Sequence, residues 1–129
     1  MLYYFYISVS SAVLGGTAVN IQIFGTAKCA DTRKAQRYFK ERRIKFQFID
    51  LTRKGFSPGE WRSVRQRLSF EDLVNTRCRA YEEEYMAYIT REAAEEKLAM
   101  YPELVRTPVV RNGKEVTVGY CPEVWKTWE

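Results

Sequence analysis

The sequence contains no histidine among its 129 residues. That absence removes Ser-His-Asp catalysis, Cys-His catalysis and imidazole metal ligation together. Cysteine is scarce: Cys29, Cys78 and Cys121 cannot all pair within one chain, and their spacing is unlike a disulfide framework. No CxxC is present, so no metal site is expected. The opening segment, Met1 to Val19, carries no charge. It therefore lacks the basic start of a secretory signal, and its apolar stretch from Leu2 to Leu14 is too short to span a bilayer comfortably. Residues 1–19 read as an extension outside the native domain, arising from a start site set too far upstream, with a signal or anchor segment as the alternative. Without that extension no export signal remains, and a free thiol then fits a reducing cytoplasm, with no membrane association.

What is present describes one soluble globular domain over residues 20–129. Apolar residues form 46% of the chain and charged residues 29%, and the 15% aromatic content supplies enough surface to build a core. The net charge of +5 favours acidic partners. Its arginines, such as Arg62, Arg65, Arg67, Arg77 and Arg79, fit a solvated helical surface as well as they fit docking. No short basic segment is interleaved with aromatics, so direct nucleic-acid binding is not expected.

Val19 to Phe24 alternates and is rich in β-branched residues, which predicts a first strand ended by Gly25. A short loop leads to Cys29. Asp31 or Thr32 can cap a helix over Arg33–Arg43, with Ala35, Tyr38 and Phe39 facing a sheet. Lys45 to Asp50 alternates as a second strand. Helical segments follow at Pro58–Leu68, opened by Ser57-Pro58, at Phe70–Val74, at Tyr81–Ala87, and at Arg91–Tyr101 with Thr90 as cap. Pro108–Arg111 and Glu115–Val118 flank Asn112-Gly113, a strong hairpin signal. Pro122 opens a last short helix carrying Trp125 and Trp128. The order is βαβ, a helical insert, then ββα.

Cys29 falls between the first strand and its helix. There the helix's free N–H groups and dipole favour a thiolate, and Lys28 and Arg33 add positive charge nearby. A thiolate is the nucleophile of disulfide exchange and of attack on oxidised or oxyanion substrates. The alternative for a free cysteine is a small buried hydrophobe. Pro108, preceded by Thr107 and opening a strand, is a candidate cis proline.

Three groups of residues carry a resemblance to the arsenate reductase/Spx family. Ile23 to Ala35, containing Cys29-Ala30-Asp31-Thr32-Arg33, resembles its N-terminal motif. Leu73-Val74-Asn75-Thr76-Arg77 resembles a middle motif. Arg106 to Lys114 and Gly119 to Glu123 resemble its C-terminal motifs. The resemblance implies an α/β, thioredoxin-like (glutaredoxin-like) fold with a mixed four-stranded sheet. It implies Cys29 as the catalytic nucleophile, arginines on an oxyanion, and glutathione with a glutaredoxin-type reductant as resolving partners.

The sequence departs from the reductase pattern at several places. Gly25 stands where the reductases have histidine, Thr107 where they have the arginine before the proline, and Tyr120 where they have a further arginine. The middle arginine corresponds to Arg77 or to Asn75. Genuine arsenate reduction is therefore not expected. The Spx-type redox pair is incomplete too, because Thr32 stands at the second cysteine's position. Its hydroxyl can instead hydrogen-bond a Cys29 thiolate.

The leading expectation is a monothiol oxidoreductase without a bound cofactor. Cys29 and Thr32 are its catalytic residues, Arg33 and Arg106 its anion contacts, and Thr107 and Pro108 a backbone platform for an extended substrate. Cys121 is a candidate resolving thiol, Cys78 a weaker one. The alternative is a non-catalytic Spx-like binding module or redox sensor, with a protein partner such as RNA polymerase.

Overall fold

A computed structural model describes residues 20–128, so the expected extension at 1–19 lies outside the described residues. The strands are β1 (Ile21–Gly25), β2 (Phe46–Asp50), β3 (Val109–Asn112) and β4 (Glu115–Val118). They form one sheet in the order β2-β1-β3-β4. β1 runs parallel to β2, whereas β1–β3 and β3–β4 are antiparallel. The helices are α1 (Ala30–Glu41), α2 (Pro58–Arg67), α3 (Phe70–Leu73), α4 (Arg79–Glu83), α5 (Arg91–Met100) and α6 (Pro122–Trp125). This is the thioredoxin-like arrangement expected, with α2–α5 inserted between β2 and β3.

Alternation along the strands divides the apolar residues between the two faces of the sheet. One face carries Ile21, Ile23, Phe46 and Val110, which pack with Ala35, Tyr38 and Phe39 of α1 and Trp125 of α6. Trp125 is fully buried, and its indole N–H donates to Thr117 Oγ1 at 2.9 Å, so its one polar atom is satisfied. The other face carries Phe24, Ile49 and Val109 against Val64, Leu73, Leu98 and Leu104 of the insert. Phe56 stacks on Phe24 with centroids 4.6 Å apart. A bridge between Val74 and Val105 ties the insert to the segment entering β3.

Several boundaries differ from those expected. Gly25 belongs to β1 and pairs with Asp50. α1 begins at Ala30, with Cys29 itself as N-cap and no side-chain cap bond. Neither Asp31 nor Thr32 is the cap, because both already lie within the helix. α1 ends at Glu41 rather than Arg43: Arg43 takes φ 59°, and the Arg43 and Ile44 N–H groups bond back to Lys40 and Phe39. α4 is likewise shorter than expected. Tyr85 takes φ 55°, turning the chain so that Met86 enters the core. In the hairpin, Asn112 pairs with Glu115, so the two-residue loop is Gly113-Lys114 and not Asn112-Gly113. Gly113, at φ 61°, is the first loop residue, the place where a type II′ turn needs glycine.

Candidate active site

β1 ends at Gly25 and delivers the chain to a tight turn in which the Cys29 N–H donates to Thr26 O at 3.1 Å. That turn puts Cys29 at the N-terminus of a twelve-residue helix, where four N–H groups lack helical partners. Across from it, the Thr107-Pro108 peptide bond is cis. The Cys29 thiol donates to the Thr107 carbonyl at 3.5 Å. A strand end, a helix start and the loop entering β3 therefore meet at one sulfur.

Burial opposes ionisation of Cys29. It is outweighed by the donors available to a thiolate, the Thr107 hydroxyl, the Thr32 hydroxyl and the Thr32 and Asp31 N–H groups, which leave the thiol's pKa below its ordinary value. The two contacts with Thr107 act in opposite senses. The carbonyl takes the thiol's proton and belongs to the neutral form, whereas the hydroxyl supports the thiolate. The donors are all uncharged; no cation among the described residues is a cause of the shift.

The expected cations are engaged elsewhere. The Arg33 guanidinium donates to Ala27 O at 2.6 Å, closing the loop before Cys29. Arg106 donates to Asp72 O at 3.2 Å and helps hold the Asp72 carboxyl low, after the Ser69 hydrogen bonds that dominate that shift. The structure thus gathers Cys29, Thr32 and Thr107 around the sulfur, with Pro108 beside them. Arg33 and Arg106 are spent on backbone carbonyls. The Pro108 carbonyl is occupied as well, accepting from Gly119 N–H at 2.8 Å, so of the expected platform Thr107 is the residue that faces Cys29.

All three cysteines are free thiols. Cys121 caps α6, and its thiol donates to Val118 O at 3.4 Å. Burial and the Glu123 carboxylate push its pKa up, against smaller opposing effects from Thr117 and Arg106. Cys78 donates to Asn75 O at 3.3 Å and packs on the insert's core. Tyr120 sits edge-on to Trp125 at 5.6 Å, with Lys34 Nζ 5.7 Å from its ring. Of the two middle-motif positions, Asn75 is half-buried and bonds through its N–H to Leu104 O, while Arg77 is exposed.

One contact escaped the sequence. Thr32 is fully buried, directly over Gly25: a Cβ placed on Gly25 would lie 2.7 Å from Thr32 Cγ2 and closer still to its hydroxyl. The only trace in the sequence is a glycine in a strand seven residues before a threonine in a helix, a spacing with no local meaning.

The ArsC family model matches residues 24–128. No curated protein matches the chain. Among solved structures, an arsenate reductase from Vibrio cholerae superposes with a TM-score of 0.74 at 19% identity, covering 87% of this chain and 99% of its own. The YffB (PA3664) protein gives 0.72 at 20%, covering 83% and 96%. An arsenate reductase (ArsC) related protein from Brucella melitensis gives 0.62 at 19%, covering 84% and 92%.

Proposed function

The chain belongs to the ArsC family, and from that membership we propose that it is a monothiol oxidoreductase acting on oxidised sulfur, with glutathione as reductant. The carrying observation is the environment of Cys29: a helix-capping thiol whose ionisation is favoured by four uncharged donors. Donors of this kind support a thiolate without drawing in a multiply charged oxyanion.

The Cys29 thiolate attacks the glutathionyl sulfur of a mixed disulfide. The Cys29–glutathione bond forms as the original S–S bond breaks, and the departing thiolate takes a proton from water. A second glutathione thiolate then attacks the glutathionyl sulfur on Cys29. Glutathione disulfide leaves, and Cys29 returns as thiolate. A glutaredoxin-type protein could supply the second thiol. Cys121 is poorly suited to do so, because it is held protonated. Such chemistry suits a reducing cytoplasm.

Two observations argue against arsenate as substrate. Thr32 fills the space beside Gly25, and Tyr120 is turned onto Trp125, so neither position offers a charged group to an oxyanion. Turnover of a glutathionylated peptide, coupled to glutathione reductase, is expected for the wild type and absent for Cys29→Ser. Arsenate in the same assay is expected to give none. No turnover of the peptide by the wild-type protein would sink the proposal.

A second reading, a protein-binding module, draws support from Tyr85 and Tyr88, which are 65% and 87% exposed on the insert. Capture of the same partner by wild type and Cys29→Ser, lost on Tyr85→Ala/Tyr88→Ala, would favour it.

A further inference from the structure

Thr32 presents a contradiction that the fold alone does not resolve. Its Oγ1 is fully buried and makes no hydrogen bond in the resting geometry, although a buried hydroxyl without a partner is destabilising. Valine would fill the same space without that burden. The hydroxyl's neighbours narrow its purpose: it lies over the bare backbone of Gly25 on one side and beside the sulfur of Cys29 on the other. While the thiol is neutral, its proton goes to the Thr107 carbonyl. A sulfur that has lost that proton is the acceptor the hydroxyl lacks.

Gly25 decides whether the hydroxyl can be there. Any side chain at residue 25 would overlap Thr32 Oγ1 first and Cγ2 next, at 2.7 Å. Thr32 cannot back away, because it is the third residue of α1 and is packed to zero exposure. A side chain would therefore turn the hydroxyl out of its seat. We propose that Gly25 is a positioning residue: its missing side chain is the socket that holds the Thr32 hydroxyl, without a partner, ready for the Cys29 thiolate. This rests on the reading of Cys29 as nucleophile but concerns only its ionisation, so it can be tested without any substrate.

The test is the pH dependence of Cys29 alkylation by iodoacetamide, followed on the Cys29 peptide by mass spectrometry. Thr32→Val should lower the rate at pH 7 by about tenfold or more, the scale of losing one hydrogen bond to a charged group, and move the midpoint up. Its thermal stability should equal or exceed that of the wild type. Gly25→Ala should produce the same change in midpoint, and Gly25→Ala/Thr32→Val no more than either alone, since all three lack the same hydrogen bond. Should Gly25→Ala fail to fold, Gly25→Ala/Thr32→Ser removes the Cγ2 overlap while still evicting the hydroxyl, and should match Thr32→Val. Thr32→Ser alone should keep most of the wild-type rate. The proposal is overturned if folded Gly25→Ala or Gly25→Ala/Thr32→Ser keeps the wild-type midpoint, or if the glycine and threonine effects simply add. Neither result depends on whether a glutathionylated substrate turns over.

Discussion

At the scale of single residues, Cys29 and Cys121 are both helix-capping thiols, yet their surroundings push them in opposite directions. Burial acts against ionisation at both. At Cys29 the hydroxyls of Thr107 and Thr32 and two backbone N–H groups overcome it. At Cys121 the Glu123 carboxylate adds to it, and the Thr117 hydroxyl does not compensate. Since disulfide exchange needs a thiolate, Cys121→Ser should retain most of the wild-type turnover of a glutathionylated peptide, whereas Cys29→Ser should retain none. A burst of activity without added glutathione, lost in Cys121→Ser, would instead assign the resolving step to Cys121. The sequence carried the importance of Cys29 through its place between a strand and a helix. It also carried part of the reason for the lowered pKa, since the helix N–H groups and the Thr32 hydroxyl are among its causes. The charge expected from Lys28 and Arg33 is not among them, and a hydroxyl donor from the distant Thr107 has no local signature.

Among the elements, alternation made the strands legible, and Ser57 and Thr90 marked two helix starts that carry real side-chain caps. Helix ends were harder to read, for one reason seen twice. α1 and α4 both close in a Schellman arrangement: the C′ residue is left-handed, and the next N–H bonds back to the third residue from the helix end. Glycine usually signals that position, but here it is filled by Arg43 and Tyr85. In each case an apolar residue follows, Ile44 on the α1 core and Met86 on the insert's core, so packing imposes the turn that the local residue resists. Arg43→Gly should therefore stabilise the protein, by about 1 kcal/mol, read as a rise in denaturant midpoint at unchanged slope. An equal or lower midpoint would show that the Arg43 side chain contributes something the backbone strain does not cancel. In the same core, Trp125→Ala removes the largest fully buried side chain and should cost about 3–5 kcal/mol, a large part of the roughly 5–15 kcal/mol typical of a domain.

Across the whole molecule, both faces of one sheet are covered, and the candidate site lies at the end where β1 leaves the sheet. Among the described residues no helix is long and apolar enough to cross a membrane. Because Cys29 and Cys121 shift in opposite directions, the fold's stability in mild alkali depends on both, and the signs can be worked out. The folded pKa of Cys29 is below its unfolded value, so its contribution is absent at low pH, grows as pH rises through the folded pKa, and is complete above the unfolded one. The folded pKa of Cys121 is above its unfolded value, so its contribution is present below the unfolded pKa and is lost as pH rises through the folded one. The two act against each other in the wild type. Removing one thiol exposes the other's trend. Relative to the wild type, Cys29→Ser should become progressively less stable as pH rises through that range, and Cys121→Ser progressively more stable. Denaturant midpoints of the three proteins under reducing conditions, from pH 7 upward, test the pair. If the two variants drift the same way relative to the wild type, the opposed environments assigned to Cys29 and Cys121 are wrong.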